Sequence, residues 1–406
     1  AIGAVFYTLA PYHLMDIYVR GSVGEVWALA LFPAVLWLVE KKSWWVAVAL
    51  ALLILSHNLL ALLFMPFLLS YLFFRETPWR FSLLVILLGL GLSAYFWLPA
   101  LAEAKYVTGL KLINFADHFP NFIQLILPSW GSGFSVPGVG DAISFQIGIP
   151  HLLIVAVSAL VWLRRREGKF GFWLGWFAII LILLLEISLP IWQLLPGMSL
   201  MQYPWRLLSL MILVTSALVA AQAKSFGGGQ KWLAIGLVAL ALLFYGGYTR
   251  PVKYAPRKDD FYLSNPVWTD GTATLGDSFS TVWAPGRRPD RAEEKIEVVE
   301  GETEVEILLI KPTEYRFKIN AKTPAVLCVN TLYFPGWKVF ANQKEVPINF
   351  EDGLINCQIP EGNYSAEVKF TETPVRKLAD MVSLISLLLI GTTAMIKKQR
   401  KYESSD

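Results

Sequence analysis

The chain contains little charge and almost no cysteine. Charged residues make up 16% of the 406 positions, whereas 55% are hydrophobic and 14% are aromatic. A soluble domain carries about 25% charged residues, so this composition excludes an ordinary globular cytoplasmic enzyme. It also excludes a disordered chain, which cannot carry this much apolar surface. The composition, with 16 tryptophans, predicts a protein that crosses membrane interfaces repeatedly.

The sequence also lacks the short motifs of several enzyme classes. It has no P-loop, no GxGxxG after a strand, no HExxH and no GxSxG. The lysine and arginine clusters are explained by membrane topology, so they indicate no nucleic-acid partner. The class of protein must therefore be inferred from the apolar runs and from the few charged residues beside them.

Apolar runs predict the membrane-spanning helices, each of which needs about 20 residues. Nine runs are candidates: 26–39, 44–56, 59–74, 81–102, 150–163, 170–188, 205–223, 232–248 and 378–396. The uncharged stretch 44–74 is too long for one helix, so we divide it at Ser56-His57-Asn58, a polar turn. Residue 1 is alanine and no leader precedes the first run, so we expect the natural chain to begin upstream.

Basic residues predict the orientation of these helices. They fall in alternate gaps between the runs: 41–42, 75–80, 164–169, 224–231 and 397–401. Because lysine and arginine accumulate in cytoplasmic loops, we place all five gaps, and the C-terminus, in the cytoplasm. The outer side then holds the remaining segments: 1–25, 103–149, 189–204 and 249–377.

The last outer region changes from apolar to alternating sequence. Seven alternating runs are separated by turn residues: 295–300, 303–310, 315–320, 325–332, 337–341, 354–359 and 364–371. This spacing predicts an extracytoplasmic all-β sandwich. The fold class is therefore a polytopic α-helical membrane protein with an extracytoplasmic all-β sandwich and a final C-terminal transmembrane helix. The predicted domains are a multi-span membrane domain at 1–248, the sandwich at 249–377, and a last helix with a basic tail at 378–406.

The two cysteines, Cys328 and Cys357, both fall on predicted strands of the sandwich. An oxidising compartment would allow a disulfide between them. The alternative is two buried thiols on separate strands. The sequence leaves both open.

The four histidines fall on the outer face in this topology: His13, His57, His118 and His151. If they converge, they could hold a divalent metal together with Asp16 or Asp117. Their spacing matches no metal motif. We therefore assign no metal site, and the cofactor stays unknown.

The outer loop 103–149 is much longer than most loops that only connect two helices, so its length indicates a function. Its middle, 114–127, mixes apolar and polar residues and predicts a helix along the outer interface. The residues that follow, 128–133, form a glycine- and serine-containing loop with one tryptophan. The segment either covers a site above the membrane or is a passive interfacial anchor.

Two arginines lie on the outer side, where basic residues are disfavoured. Arg206 ends the sequence Gln202-Tyr203-Pro204-Trp205-Arg206 at the mouth of an apolar run, and Arg20 shortly precedes another run. A guanidinium can bind a phosphate through two nitrogens. The alternative is a pair of arginines that snorkel beside interfacial aromatic residues.

The carboxylates nearest to these arginines are Asp16 and Glu25. One of them could act as a general base or metal ligand for attack on an activated sugar. The alternative is charge compensation, in which Glu25 orients Arg20.

Several stretches together resemble one group of bacterial and archaeal membrane proteins. They are the segment from Ala10 to Glu25, Ser56-His57-Asn58, Ser144-Phe145-Gln146-Ile147-Gly148, Gln202-Tyr203-Pro204-Trp205-Arg206, Tyr333-Phe334-Pro335-Gly336-Trp337 and Pro360-Glu361-Gly362-Asn363-Tyr364. The chain resembles the YfhO-like proteins and the group labelled "6-pyruvoyl-tetrahydropterin synthase-related, membrane domain". The pterin label carries no functional weight, because that chemistry needs a three-histidine zinc site whose spacing is absent here.

The resemblance implies the GT-C superfamily of membrane glycosyltransferases. These enzymes transfer sugars from polyprenyl-phosphate donors on the outer face, and YfhO-like proteins are associated with adding sugars to cell-envelope polymers. Their catalytic carboxylate usually lies in the first outer loop after the first span, so we expect it upstream of residue 1 and assign none here. The predicted substrate-binding residues are Arg20, Arg206, Glu25, Asp16, His57 and Gln202.

The expected partners follow from this reading: a polyprenyl-phosphate sugar donor, an envelope glycan or polymer acceptor, and membrane lipid, with no nucleic acid. The alternative is a non-catalytic lipid or glycan transporter, or an envelope assembly factor. A transporter is typically built from symmetric halves with paired broken helices, and the sequence has only the 44–74 break.

Overall fold

The chain folds into a helical unit and a unit that contains a β-sandwich. The structure, a computed structural model, describes residues 1–108, 114–138, 140–194, 197, 201–225, 230–250, 256–264, 280–284, 292 and 294–403. The helical unit comprises 1–93, 113–254 and 383–406, and the second unit comprises 94–112 and 255–382. A separate β-sheet domain, as predicted, is therefore confirmed.

All nine apolar runs fall on helices. The α-helices are α1 (Ile2–Leu9), α2 (Pro11–Met15), α3 (Val23–Glu40), α4 (Trp45–Ser56), α5 (Asn58–Phe74), α6 (Trp79–Leu92), α7 (Ala94–Ala102), α8 (Phe122–Ile126), α9 (Ile149–Arg165), α10 (Gly168–Leu184), α11 (Leu189–Leu194), α12 (Leu208–Ser225), α13 (Gln230–Tyr245), α14 (Asp259–Leu263) and the C-terminal helix Pro374–Glu403. Short 3₁₀ segments are Ala104–Tyr106, Phe115–His118, Glu186–Ser188, Pro204–Leu207 and Gly246–Thr249, and Asp16–Arg20 is a π-helix. The sequence analysis predicted no helix before residue 26, where α1, α2 and the π-helix lie.

A few of these helices could cross a membrane. By length and composition, Val23–Glu40 and Pro204–Ala223 qualify among the described residues. Two interrupted pairs, Trp79–Leu92 with Ala94–Ala102 and Gly168–Leu184 with Glu186–Leu194, raise the number to four if each pair is one span. The multi-pass order, the nine spans and the orientation stay predictions.

The polar turn at His57 ends one helix and starts the next, as predicted. α4 ends at Ser56, His57 is extended (φ −158°, ψ 100°), and its Nδ1 accepts the backbone N–H of Leu60 at 3.2 Å, which caps α5. Two other runs are less regular than predicted. The helix over 81–102 is interrupted at Ser93, and the helix over 170–188 ends at Leu184, after which the chain bends by 88°.

The single interfacial helix predicted over 114–127 is wrong. The segment forms a 3₁₀ turn at Phe115–His118 and a separate short helix at Phe122–Ile126. Pro120 divides them, because the residue before a proline is disfavoured in the helical region and Phe119 is extended there (φ −76°, ψ 128°). Asn121 then starts α8 with a capping box in which Asn121 and Gln124 each accept a backbone N–H of the other.

One buried apolar cluster joins six helices of the helical unit. Its members come from α1, α2, α9, α10, α12 and α13: Phe6, Leu14, Ile154, Phe170, Leu218, Val219, Leu237, Ala241 and Tyr245. Elsewhere in the unit, Phe32 of α3 stacks on Phe64 of α5, with ring centroids 4.5 Å apart. These contacts hold the N-terminal residues against α12, beside which the site described below is built.

The second unit contains two antiparallel sheets. The strands are β1 (Ile296–Glu300), β2 (Thr303–Lys311), β3 (Glu314–Ala321), β4 (Ala325–Leu332), β5 (Trp337–Ala341), β6 (Lys344–Val346), β7 (Ile348–Asn349), β8 (Leu354–Ile359) and β9 (Gly362–Phe370). One sheet has the order β1-β4-β8-β7 and the other β2-β3-β9-β5-β6. The seven predicted strands are all present within one or two residues, and the short strands β6 and β7 were missed.

The core of the sandwich lies between the two sheets. Alternate residues of β3 are buried: Tyr315, Phe317, Ile319 and Ala321. They pack in one cluster with residues of the other sheet such as Leu327, Ile355 and Ile359. The strict alternation of inward and outward residues explains why the sequence pattern located these strands well.

The segment 103–108 belongs to the β-containing unit. Val107 forms an antiparallel bridge with Thr281, and Tyr106 stacks on Trp283 with centroids 5.4 Å apart. The carboxylate of Glu103 accepts from Arg376, whose Nη2 lies 2.6 Å from its Oε2. The 103–149 loop of the sequence analysis is therefore divided, because residues from 114 onward belong to the helical unit.

Cys328 and Cys357 are both buried and do not form a disulfide. They lie on adjacent strands, but Cys357 pairs with Leu327 and Cys328 pairs with Asn356. Because paired residues share a face of the sheet and neighbours along a strand do not, the two sulfur atoms point to opposite faces. Burial, and then the nearby charge of Cys328, raise the pKa of the Cys357 thiol to about 11.

We predict that reductant does not change the stability of the sandwich. Purified protein should show the same thermal unfolding midpoint with and without dithiothreitol, because neither sheet depends on a sulfur cross-link. Alkylation after unfolding without reductant should modify both cysteines. A protein that resists alkylation until it is reduced would contradict this assignment.

Candidate functional site

Glu25 is the centre of a buried ionic cluster. Arg20 donates to it through two nitrogens, with Nη1–Oε2 at 2.5 Å and Nη2–Oε1 at 2.7 Å. Arg206 donates from Nε to Oε1 at 3.2 Å, and Tyr12 donates its hydroxyl to Oε2 at 3.0 Å. Nε2 of His57 lies 3.4 Å from Oε1. One carboxylate therefore joins residues from four separate parts of the helical unit.

Asp16 and Gln202 extend this cluster on its two sides. Asp16 Oδ1 accepts from Arg20 Nη1 at 2.5 Å, and its Oδ2 is buried without a hydrogen-bond partner. Arg206 Nη1 donates to the Gln202 side chain at 3.1 Å and to the Met201 carbonyl at 3.0 Å. We call these residues the Glu25 cluster: Tyr12, Asp16, Arg20, Glu25, His57, Gln202 and Arg206. It contains all six residues that the sequence analysis selected, and their binding role stays a prediction.

A π-helix and a glycine bring Arg20 to Glu25. Asp16–Arg20 forms a single wide π turn, which is typical of functional sites. The turn ends at Gly21, whose left-handed conformation (φ 59°) suits glycine best. The chain then reverses, and α3 begins at Val23. Arg20 therefore meets both Asp16 on its own turn and Glu25 in the first turn of α3.

A second glycine brings His57 to the same place. A Cβ at Gly24 would lie 2.5 Å from the carbonyl oxygen of Ser56. Only glycine therefore allows the start of α3 to approach the α4–α5 turn this closely. The close approach brings His57, in that turn, to the carboxylate of Glu25, the residue after Gly24.

Aromatic side chains surround the guanidinium groups. The Cζ of Arg20 lies 4.7 Å from the ring centroid of Trp205, and the Cζ of Arg206 lies 5.1 Å from that of Tyr203. Trp205 is almost fully buried, and its ring also lies near that of Tyr12, at 6.4 Å between centroids. Cation–π contacts of this kind hold a guanidinium in place without neutralising its charge.

Residues of the 114–148 segment contact this aromatic pair. Trp205 Nε1 donates to the Ser135 hydroxyl at 3.3 Å, and Phe145 stacks on Trp205 with centroids 5.5 Å apart. His118 meets Tyr203 edge-on at 5.0 Å. Within the helical unit, this segment therefore packs directly on the Gln202–Arg206 sequence, next to the Glu25 cluster.

A tight junction fixes the end of this segment. Gly148 has a positive φ of 100°, and a Cβ there would lie 2.3 Å from the Tyr245 hydroxyl oxygen. That hydroxyl is 2.8 Å from Nδ1 of His151. The buried amide of Gln146 donates to the Tyr248 hydroxyl at 3.1 Å and to the Ser129 carbonyl. These contacts explain the Ser144–Gly148 sequence as a structural anchor beside the site.

The exposed edge of the Glu25 cluster is cationic. The side chains of Asp16 and Glu25 are 0% exposed, whereas those of Arg20, His57 and Arg206 are 16%, 17% and 9% exposed. The two carboxylates are therefore fully enclosed, and among these five side chains only the two arginines and His57 have exposed surface. Burial, and then the charge of Glu25, raise the pKa of Asp16 well above its usual range. An anion is the ligand that this charge distribution favours.

The histidines do not converge. His13 contacts the Tyr7 carbonyl, His118 contacts Ser135, and His151 contacts Tyr245, while His57 alone lies at Glu25. In the part of the chain that the structure describes, no group of three or more histidine, cysteine or acidic side chains is arranged to hold a metal ion. The four histidines therefore do not form one shared site.

Two residues of the site were missed as functional candidates. Tyr12 binds Glu25, and Trp205 covers Arg20. Both lie inside stretches that the sequence analysis quoted for their resemblance, and their proximity to Arg20 and Arg206 was the available signal. Their roles depend on ring positions, which spacing alone does not give.

No protein-family model, curated protein or solved structure matches the chain.

We predict that Glu25→Gln destabilises the helical unit strongly. Loss of one partner of a buried ion pair costs about 3–5 kcal/mol, because the remaining charges stay buried. The matched control is Glu40→Gln. Glu40 pairs with Arg75 at 2.5 Å, but these two side chains are 35% and 48% exposed, so its loss should cost about 0–1 kcal/mol. Thermal unfolding of both variants in the same detergent measures the difference, and equal shifts would contradict the central place of Glu25.

We also predict that Gly148→Ala is destabilising by about 1–3 kcal/mol, because a side chain there is both strained and in collision with Tyr245. Gly175→Ala in α10 is the control, since a Cβ at Gly175 meets nothing within 4 Å. The control should be neutral or slightly stabilising. The same thermal assay compares the two, and a neutral Gly148→Ala would show that the junction is looser than described.

Proposed function

We propose that this chain is part of a membrane glycosyltransferase that moves a sugar from a polyprenyl-phosphate donor to a cell-envelope acceptor on the outer face. In this proposal the β-sandwich is extracytoplasmic, the C-terminus is cytoplasmic, and the protein is related to the YfhO-like, GT-C enzymes. The Glu25 cluster binds the donor phosphate. The 114–148 segment covers it.

One observation carries the proposal. Arg20 and Arg206, which are far apart in the sequence, share one carboxylate, and their cluster exposes cationic groups while its carboxylates are fully buried. Two guanidinium groups held at one carboxylate can bind a phosphate by donating several hydrogen bonds to its oxygens. The exposed apolar residues nearby, Ile17, Tyr18, Val23 and Trp27, suit a ligand that carries a lipid chain.

The chemistry follows from the charge that develops during transfer. As the glycosidic bond breaks, the phosphate leaving group gains negative charge. Fixed cations in a site that excludes water stabilise this charge better than solvent does. Glu25 holds both arginines in place before the donor binds, and Tyr12 and His57 hold Glu25. We assign no catalytic base to this chain and no cofactor.

The second candidate is a non-catalytic lipid or glycan transporter, or an envelope assembly factor. The observation that favours it is that Glu25 already accepts hydrogen bonds from both arginines, so the cluster also fits a structural ion network. In that case the arginines bind a lipid headgroup but no reaction is catalysed. Both candidates predict phosphate-lipid binding, and only the first predicts sugar transfer.

We predict that Arg206→Ala abolishes sugar addition while the protein is still produced. Removal of a preorganised charge at the leaving group lowers transfer by about 100- to 1,000-fold. Arg206→Lys keeps the positive charge but loses the planar set of N–H donors that binds a phosphate through two nitrogens. This variant should therefore retain an intermediate activity. Envelope glycosylation in cells that express each variant as the sole copy gives the activity, and immunoblotting of membranes gives the protein level.

Arg75→Ala is the matched control, because Arg75 pairs with Glu40 away from the cluster and is half exposed. It should leave glycosylation unchanged. Normal glycosylation in Arg206→Ala at normal protein levels would exclude the proposed role of Arg206. Binding of farnesyl phosphate to wild-type protein with no sugar transfer from any donor would favour the second candidate.

A further inference from the structure

We infer that Asp16 holds a proton in the resting protein and is a neutral positioning residue for Arg20, which leaves the Glu25 cluster with one uncompensated positive charge for an anion. The inference deepens the proposed function, and it rests on that proposal only for the identity of the anion.

The first argument is the shared nitrogen. Asp16 Oδ1 and Glu25 Oε2 each lie 2.5 Å from Nη1 of Arg20. Ionisation of both carboxyl groups is unfavourable, because they interact with each other in a buried site and Arg20 is the cation that contacts both of them. One of the two groups therefore keeps its proton.

The second argument decides which group is neutral. Glu25 accepts hydrogen bonds from Arg20, Arg206 and Tyr12 and also contacts His57, so both of its oxygens are satisfied. Asp16 accepts one hydrogen bond, from Arg20 to Oδ1, and its Oδ2 is buried with no hydrogen-bond partner. An ionised carboxylate with an unsatisfied buried oxygen is far more costly than a neutral acid in the same place. The proton therefore resides on Asp16.

The groups that surround Asp16 come from several elements. Arg20 lies on its own π turn, Tyr7 on α1 and Tyr12 on α2, and Glu25 faces it from α3. His57 and Arg206 reach the same site through Glu25. Among the described residues, Arg20 is the one cation that forms an ion pair with Asp16, and Glu25 already accepts hydrogen bonds from two nitrogens of Arg20.

Protonation of Asp16 gives the Glu25 cluster a net positive charge. With Asp16 neutral, two guanidinium groups face a single carboxylate, so one positive charge is left at the edge that Arg20 and His57 expose. With Asp16 ionised, the cluster would be neutral and would attract an anion poorly. A neutral Asp16 thus explains how the cluster can bind a phosphate although both arginines already pair with Glu25.

Infrared spectroscopy tests the proton directly. Wild-type protein in detergent at neutral pH should show the carbonyl stretch of a protonated carboxylic acid, shifted in deuterium oxide, and Asp16→Asn should lack it. Glu103→Gln is the control: Glu103 accepts hydrogen bonds from two nitrogens of Arg376 and lies outside the Glu25 cluster, so this variant should keep the band. If Asp16→Asn does not fold, wild-type protein labelled with ¹³C at the aspartate carboxyls assigns the band. Absence of the band overturns the inference.

Anion binding tests its consequence. Asparagine has the shape and charge of a protonated aspartate, so Asp16→Asn should bind farnesyl phosphate within about twofold of wild type. If Asp16 were ionised, the substitution would add one positive charge beside the anion and tighten binding by at least about tenfold. Such a gain would also overturn the inference.

The two proposals fail in different ways. If the acid band is present and depends on Asp16, but neither farnesyl phosphate nor inorganic phosphate binds to wild-type protein, the proton on Asp16 stands and the donor site fails. If farnesyl phosphate binds and inorganic phosphate does not, the site takes a lipid-linked rather than a free phosphate. If farnesyl phosphate binds and the acid band is absent, the site stands and the role of Asp16 fails.

Discussion

The helical unit depends on one buried carboxylate that holds two guanidinium groups. Among the described residues, Glu25 is the only carboxylate that accepts hydrogen bonds from both Arg20, which is partly buried, and Arg206, which is buried. Placing charge inside an apolar unit is costly unless every charge is paired and hydrogen-bonded. The geometry of α3, the π turn and the start of α12 is therefore coupled through a single side chain.

The parts of the chain that bring these groups together are short and unusual. Gly21 ends the π turn in a left-handed conformation, and Gly24 removes the side chain that would keep α3 away from the His57 turn. Trp205 and Tyr203 then cover the arginines, and the 114–148 segment packs on both rings. Site and fold are thus determined by the same few contacts.

The features that could be predicted from the sequence are those that depend on local residue patterns. The alternation along β3 located this strand to within one residue, and the polar turn at His57 divided two helices correctly. Six residues of the Glu25 cluster were selected because they are polar or charged residues between or at the ends of apolar runs, whereas Tyr12 was missed. Their convergence could not be found, because Glu25 and Arg206 are 181 positions apart and no local pattern records that distance. The helix over 114–127 failed because amphipathic composition outweighed Pro120 in the prediction.

The π turn at Asp16–Arg20 also bears on how this part of the chain tolerates length changes. A π turn contains about one more residue than an α turn. Deletion of a single residue here would restore α-helical geometry and rotate the following side chain by about 100° around the axis. Arg20 would then face away from Glu25. The contact between Arg20 and Glu25 therefore depends on the number of residues in this segment as much as on its side chains.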